Sequence, residues 1–375
     1  MRGGDPSNLI QVMLAKGWVL NRAVARSVSP PACRMKRGGG VSVTVVGAGV
    51  AGLTTALALS EGGAEVSVIE RGPALGVGAC SWLAGGMLAP GCEQESAEPL
   101  ISDWGMEALA YWPARHAATC QRGTLVVAPA RDAPDLDRFA RRTTGHQRLD
   151  AEAIARLEPD LGGRFRAALF FPLEAHLDPR AALVSLASLL EARGVAIHFD
   201  TTFRPGTSSE PIVDCCGLAA IDALPDLRGV KGEMLLLRCP ELTLSRPIRL
   251  LHPRFPIYIV PRGNGVFMLG ATMIESAERG RVSARSVVEL LNAAYALHPA
   301  FAEAEILELG ADARPAFPDN LPRLRQLGRT LYVNGLFRHG FLLSPALAAR
   351  AADYVLHGTQ YPEVMDEDPR QQRSA

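Results

Sequence analysis

Three glycines and a glutamate carry the clearest chemistry in this chain. An apolar run, Val41-Ser42-Val43-Thr44-Val45-Val46, leads into Gly47-Ala48-Gly49-Val50-Ala51-Gly52. An Ala/Leu-rich stretch then reaches Gly62-Gly63, and Glu65-Val66-Ser67-Val68-Ile69-Glu70 follows. The period changes from strand to helix partway, so the segment reads as strand, turn, helix, strand. G-x-G-x-x-G in that setting is the fingerprint of a dinucleotide site. Gly47 allows the sharp turn, Gly49 lets the backbone approach a pyrophosphate, and Gly52 lets helix and strand pack closely. The helix N-terminus presents free N–H groups and a positive dipole end to phosphates. Glu70, closing the second strand, can accept from ribose hydroxyls.

The remaining elements must hold that turn and bring a substrate to it. Gly76 to Pro90 is a Gly/Ala-rich loop whose small residues let a backbone come close to something flat. Trp104–Ala118 and Asp150–Glu158 read as helices, with Asp150 as N-cap and Pro159 as a stop. Asp178-Pro179 opens a helix with Leu183, Leu186, Ala187 and Leu190 on one face, ended by Gly194. Strands follow at Val195–Phe199 and Pro211–Cys215, so about 95–175 reads as an insertion into a doubly wound pattern. From Lys231 the texture becomes antiparallel β, with a strand at Glu233–Arg238. Ile257–Val260 and Val266–Leu269 form a hairpin around Arg262-Gly263-Asn264-Gly265. Ser283–Leu297 is amphipathic. The last block returns to α/β: strand Thr330–Val333, a glycine-bearing turn at 334–343, and a helix from Ser344-Pro345 to about Leu356, with Ser as N-cap and Pro at N1.

Composition narrows the class. The chain has 375 residues, 48% of them hydrophobic and 21% charged, as in a globular enzyme of about two domains. Lys+Arg 39 balances Asp+Glu 39, which gives no electrostatic argument for nucleic acid or an anionic membrane as partner. Lysine occurs only at Lys16, Lys36 and Lys231, so nearly all positive charge is arginine. The seven cysteines (Cys33, Cys80, Cys92, Cys120, Cys215, Cys216, Cys239) form no C-x-x-C pair and read as reduced thiols of a cytoplasmic protein. His176, His252 and His298 have no metal-ligand spacing. Residues 1–40 stand apart: basic, poor in acids, ending in Gly38-Gly39-Gly40. They read as a disordered extension, either a transit peptide or the product of a start codon upstream of Met35.

Taken together, several motifs resemble the D-amino-acid oxidase superfamily of FAD enzymes, and within it the glycine oxidases of thiamine biosynthesis. They are Gly47-x-Gly49-x-x-Gly52…Glu70, Ser81-Trp82…Gly85-Gly86-Met87-Leu88-Ala89-Pro90, Tyr258…Val260-Pro261-Arg262, Gly270-Ala271-Thr272-Met273, Ala313-Arg314-Pro315 and Phe337-Arg338-x-Gly340. The resemblance covers about 41–358. It implies an α/β fold, a Rossmann-like FAD-binding domain with an inserted antiparallel-β substrate domain. The FAD-binding part would comprise 41–95, 175–230 and 311–362, the substrate domain 96–174 and 231–310, and 363–375 a tail.

The implied activity is oxidation of glycine at its Cα–N bond by hydride transfer to flavin N5. O2 re-oxidises the flavin to give H2O2, and the imine is hydrolysed to glyoxylate or passed to a thiazole-forming enzyme. The cofactor supplies the redox chemistry, so no acid–base dyad is required. Arg338 is then the carboxylate clamp, a planar fork matched to a carboxylate, and Arg314 the second active-site arginine. Tyr258 and Met273 would line a small pocket. Non-covalent FAD would be held by Gly47, Gly49, Val50, Ala51, Gly52, Glu70, Arg71, Ser81, Gly85, Gly86 and Met87, and by Leu336, Phe337, His339, Gly340, Phe341 and Leu342. A homo-oligomer is also implied. The segment 201–210 is shorter than the family's usual β-excursion. Three other readings stay open at this point: oxidation of sarcosine, proline or a small D-amino acid, a non-catalytic FAD-binding subunit, or an NAD(P)-linked dehydrogenase. The last explains Gly47–Glu70 but not the return to nucleotide-fold texture at Leu331–Leu356.

Overall fold

The largely apolar run Ser42–Val46 forms an inner strand of a six-stranded sheet and is buried as its sequence requires. The computed structural model describes residues 41–204, 210–252 and 256–365. The expectations for residues 1–40, and in part those for 201–210 and the tail, fall outside these ranges. The strand order is Arg323–Leu327, Thr330–Asn334, Ile212–Asp214, Ser42–Val46, Glu65–Ile69, Ala196–His198. All neighbours are parallel except the first pair. Helices Val50–Glu61, Pro179–Ala192 and Gly340–His357 pack together over it, joining Leu53, Leu57, Leu183, Leu186 and Leu347 in one core.

A second, nine-stranded sheet takes its strands from Thr124–Val127, Gln147–Asp150, Ala167–Phe171 and the stretch from Arg228 to Ala316. Helix Ala284–Leu297 covers it through Leu290, Ala294 and Leu297. Local caps decide several boundaries. Asp150 accepts from Ala153 N–H at 2.8 Å, Asp178 from Arg180 N–H at 2.8 Å, and Ser283 from Ser286 N–H at 3.2 Å.

Four elements differ from their sequence reading. The helix read as Trp104–Ala118 runs Pro99–Arg115, because Pro99 supplies a preset first-turn φ. The strand read as Glu233–Arg238 begins at Arg228, where it pairs with Glu305–Ala316. The final helix starts at Gly340 rather than at Ser344-Pro345, so Pro345 lies inside it. Proline there removes the N–H that the Phe341 carbonyl would accept. Trp112 Nε1–H donates to that carbonyl instead, at 2.7 Å, and the extra turn survives. Finally, Val364, read as part of a tail, is fully buried, and its carbonyl accepts from Leu324 N–H at 2.8 Å.

Candidate active site

The glycine turn is built as its residue types demand. Gly47 has φ +100°, and a Cβ there would lie 2.9 Å from the Cys215 carbonyl oxygen. A Cβ on Gly52 would lie 1.8 Å from the Gly47 carbonyl oxygen, so strand and helix meet backbone to backbone. Gly49 differs: the atoms nearest its Cβ position are Ser81 Oγ at 3.5 Å and Ala79 Cβ at 3.8 Å, ordinary contact distances. Gly49 is the N-cap of Val50–Glu61 and offers no side-chain cap. Ser81 Oγ, 31 residues on, accepts from Val50 N–H at 3.2 Å.

Glu70 does more than close a strand. Its Oε2 accepts from Ala48 N–H at 2.7 Å and its Oε1 from Gly72 N–H at 2.8 Å. It therefore fixes both flanking turns while keeping lone pairs for a ribose.

These groups open onto a cleft of about 370 Å³. Of the residues singled out from sequence, Gly47, Gly49, Val50, Ala51, Glu70, Arg71, Ser81, Gly85, Tyr258, Arg314, Leu336, Phe337, Arg338, Gly340 and Phe341 line it. Gly52, Gly86, Met87, His339 and Leu342 do not. Gly52 and Gly86 serve packing: a Cβ on Gly86 would strike the Leu177 carbonyl at 2.2 Å. Leu342 and His339 are buried beside the cleft. Met273 is 61% exposed and lies outside the lining, so it forms no pocket wall here. Sequence reasoning missed Cys80, Gly232, Met234, Arg279 and Asp312 among the lining residues. They belong to no motif and reach the cleft through strand pairing and loop crossing.

Two helix N-termini face this space. The second, at Gly340, follows His339, which provides no side-chain cap. Two helix N-termini, one bonded through Val50 N–H to Ser81 Oγ and the other without a side-chain cap, suit an extended diphosphate cofactor.

The two arginines are held differently. Arg314 lies within the strand Glu305–Ala316. The following Pro315 is tolerated because this strand pairs on one side only, with Arg228–Arg238. The Pro315 carbonyl accepts from Phe337 N–H at 2.9 Å. Arg314 Nη1 donates to the Thr272 carbonyl at 3.1 Å, and no acidic side chain pairs with it among the described residues. Its Nε/Nη2 edge is left for a ligand.

Arg338, the expected clamp, is already engaged. Its Nη2 donates to Glu93 Oε2 at 2.5 Å and to Ser96 Oγ at 3.3 Å. Both fork edges of a guanidinium include Nη2, so neither is free for a bidentate carboxylate. Glu93 also meets His339 Nε2 at 2.9 Å and Arg249 Nη1 at 3.4 Å. Burial alone would raise the Glu93 carboxyl, but Arg338, His339 and Arg249 outweigh it and hold it well below the usual carboxylate range. Burial lowers His339, against the pull of Glu93.

Tyr258 stands between two glycines. A Cβ on Gly85 would meet its ring at 2.6 Å, and one on Gly270 its hydroxyl at 2.8 Å. Their bare backbones let the ring lie flat at the cleft wall.

A family model described as FAD dependent oxidoreductase matches residues 42–354. The putative thiamine biosynthesis oxidoreductase ThiO of Rhizobium etli is 56% identical over 322 residues, 86% of this chain and 98% of the relative. The bifunctional protein ThiO/ThiG of Nostoc is 28% identical over 361 residues, 85% of this chain and 53% of that longer protein. Among solved structures, glycine oxidase from Geobacillus kaustophilus matches with a TM-score of 0.74 and 25% identity, covering 85% of this chain and 95% of that one. From Ser42 to Tyr354 the chain belongs to the FAD-dependent oxidoreductase family.

Proposed function

We propose that this protein oxidises glycine to its imine in the cleft that Arg314 shares with the glycine turn. The observation that carries the reading is an Arg314 guanidinium with no acidic partner among the described residues, in a cleft that two helix N-termini also line. FAD held by the glycine turn, Glu70 and the Gly340 helix N-terminus would supply the redox chemistry, a two-electron acceptor for the α-hydrogen that O2 re-oxidises with release of H2O2. Everything else falls to the chain. Arg314 receives the substrate carboxylate through two parallel N–H···O bonds and so fixes the direction of the Cα–H bond. Tyr258, with its hydroxyl at the same wall, limits the room beside Cα. The N-terminus of Gly340–His357 places a partial positive charge where negative charge accumulates on reduction. The amine loses its proton to solvent before hydride departure, which needs no dedicated base.

The ThiO relatives support thiamine biosynthesis as the destination of the imine, and the fused ThiO/ThiG of Nostoc supports direct delivery to a thiazole-forming partner. The free cysteines, and the absence among described residues of a helix long and apolar enough to cross a membrane, suit a cytoplasmic protein.

Anaerobic mixing of the yellow holoprotein with glycine tests the reading. Loss of the oxidised-flavin absorbance is the expected result. Reduction by sarcosine or a small D-amino acid but not by glycine would refute the substrate, and a colourless protein would refute the site.

Arg314 owes its position to Gly232. A Cβ on Gly232 would lie 2.1 Å from Arg314 Nη2 and 2.4 Å from its Cζ. Gly232→Ala is expected to keep the fold and the flavin while pushing the guanidinium sideways by about an ångström. Glycine kcat/KM should fall by on the order of a hundredfold, mostly through KM. Steady-state kinetics beside a flavin-content assay checks this.

A further inference from the structure

Four arginines line the cleft, and only one is positioned to take a second acid group near the clamp. Arg71 follows Glu70 at the nucleotide end. Arg279 is bound to Asp312 and to the Gly78 carbonyl. Arg314 is assigned to the substrate's α-carboxylate. That leaves Arg338, and the protein has supplied it with an internal carboxylate, Glu93.

Glu93 is set for this task by the chain on which it sits. It ends the single turn Pro90–Glu93, directly after the Gly85–Ala89 segment. The turn is anchored from 82 residues away, where Cys92 N–H donates to Glu174 Oε1 at 2.7 Å. The Glu93 side chain is 14% exposed, against 27% for Arg338, so the arginine faces the cleft with the carboxylate behind it.

We propose that Glu93 is a specificity residue: by neutralising Arg338 from within the protein, it confines the cleft to substrates with a single acid group. The proposal rests on the amino-acid oxidase reading of the site. A second carboxylate approaching Arg338 finds its Nη2 occupied and meets the negative charge of Glu93. A singly charged amino acid meets neither obstacle, because its one carboxylate goes to Arg314. Glu93 touches no substrate, so it acts through Arg338, by fixing that arginine's charge balance.

Sarcosine and iminodiacetate isolate the effect, since they are N-methyl and N-carboxymethyl glycine and differ in the added carboxylate. The experiment compares kcat/KM for both in the flavin-loaded wild type, in Glu93→Gln, and in Glu93→Gln/Arg338→Met. The wild type should prefer sarcosine. Glu93→Gln should raise the iminodiacetate-to-sarcosine ratio at least tenfold, and the double variant should return it toward wild type. An unchanged ratio in Glu93→Gln, or a gain that survives loss of Arg338, would overturn the proposal.

A binding measurement on the wild type covers poor folding of the variant or an inactive enzyme. Acetate and malonate are titrated while their perturbation of the flavin spectrum is followed, which needs no turnover. Malonate should bind at least tenfold more weakly than acetate, and equal or tighter malonate binding would overturn the assignment of Glu93. Failure of glycine to reduce the wild-type flavin, by contrast, counts against the oxidase reading alone.

Discussion

Arg314→Met is expected to lower kcat/KM for glycine by about two to four orders of magnitude while leaving FAD bound. Each hydrogen bond between charged groups contributes roughly 1.5–3 kcal/mol, and the fork would make two of them. Their loss, at about 1.4 kcal/mol per tenfold, gives that range. Met keeps most of the side-chain volume against Gly232, so the strand pair Arg228–Arg238 and Glu305–Ala316 should hold its register. Arg314→Lys should recover part of the loss, because an ammonium restores charge but not the planar fork. Acetate binding, followed by the flavin spectrum, should weaken in parallel. Arg338→Met should cost much less with glycine, since its Nη2 already serves Glu93 and Ser96. If Arg338→Met proved the more damaging change, the roles of the two arginines would be reversed.

Gly52→Ala should yield protein without flavin and with a markedly lower melting temperature. The new methyl would sit 1.8 Å from the Gly47 carbonyl oxygen, with the Gly47 carbonyl carbon at 2.9 Å. Both are backbone atoms, so no rotamer change relieves the clash, and Gly47 is itself pressed against Cys215. Overpacking of a rigid interior costs roughly 1–3 kcal/mol, and more where backbone meets backbone. Gly49→Ala provides the contrast. Its methyl would point toward Ser81 Oγ at 3.5 Å and Ala79 Cβ at 3.8 Å, ordinary contact distances. The apoprotein should then melt near wild type, while FAD affinity falls because the methyl occupies the pyrophosphate's approach. Thermal melts of the apo form beside flavin titration separate the two effects. Equal stability losses in both variants would contradict the division of labour between these glycines.

What the sequence determined by itself was local. The caps Asp150, Asp178 and Ser283 act on backbone groups two or three residues away, and Gly52 on the Gly47 carbonyl five residues back, so residue type and spacing are sufficient signals. The hairpin around Asn264 is legible for the same reason: Gly263, Asn264 and Gly265 all have positive φ. The family motifs likewise marked most of the residues that line the cleft.

The tertiary structure decided what depends on distant partners. Leu307, Leu309, Ala311 and Ala313 alternate with Glu308, Asp312 and Arg314, a period that marks Glu305–Ala316 as a strand but not its partner. Pairing with Arg228–Arg238 is what aims Arg314 across Gly232. The start of the last helix turned on Trp112, 229 residues before the carbonyl it caps. The state of Arg338 turned on Glu93, 245 residues away. A guanidinium's role depends on which of its edges remain unpaired, and that follows from packing rather than from any spacing along the chain.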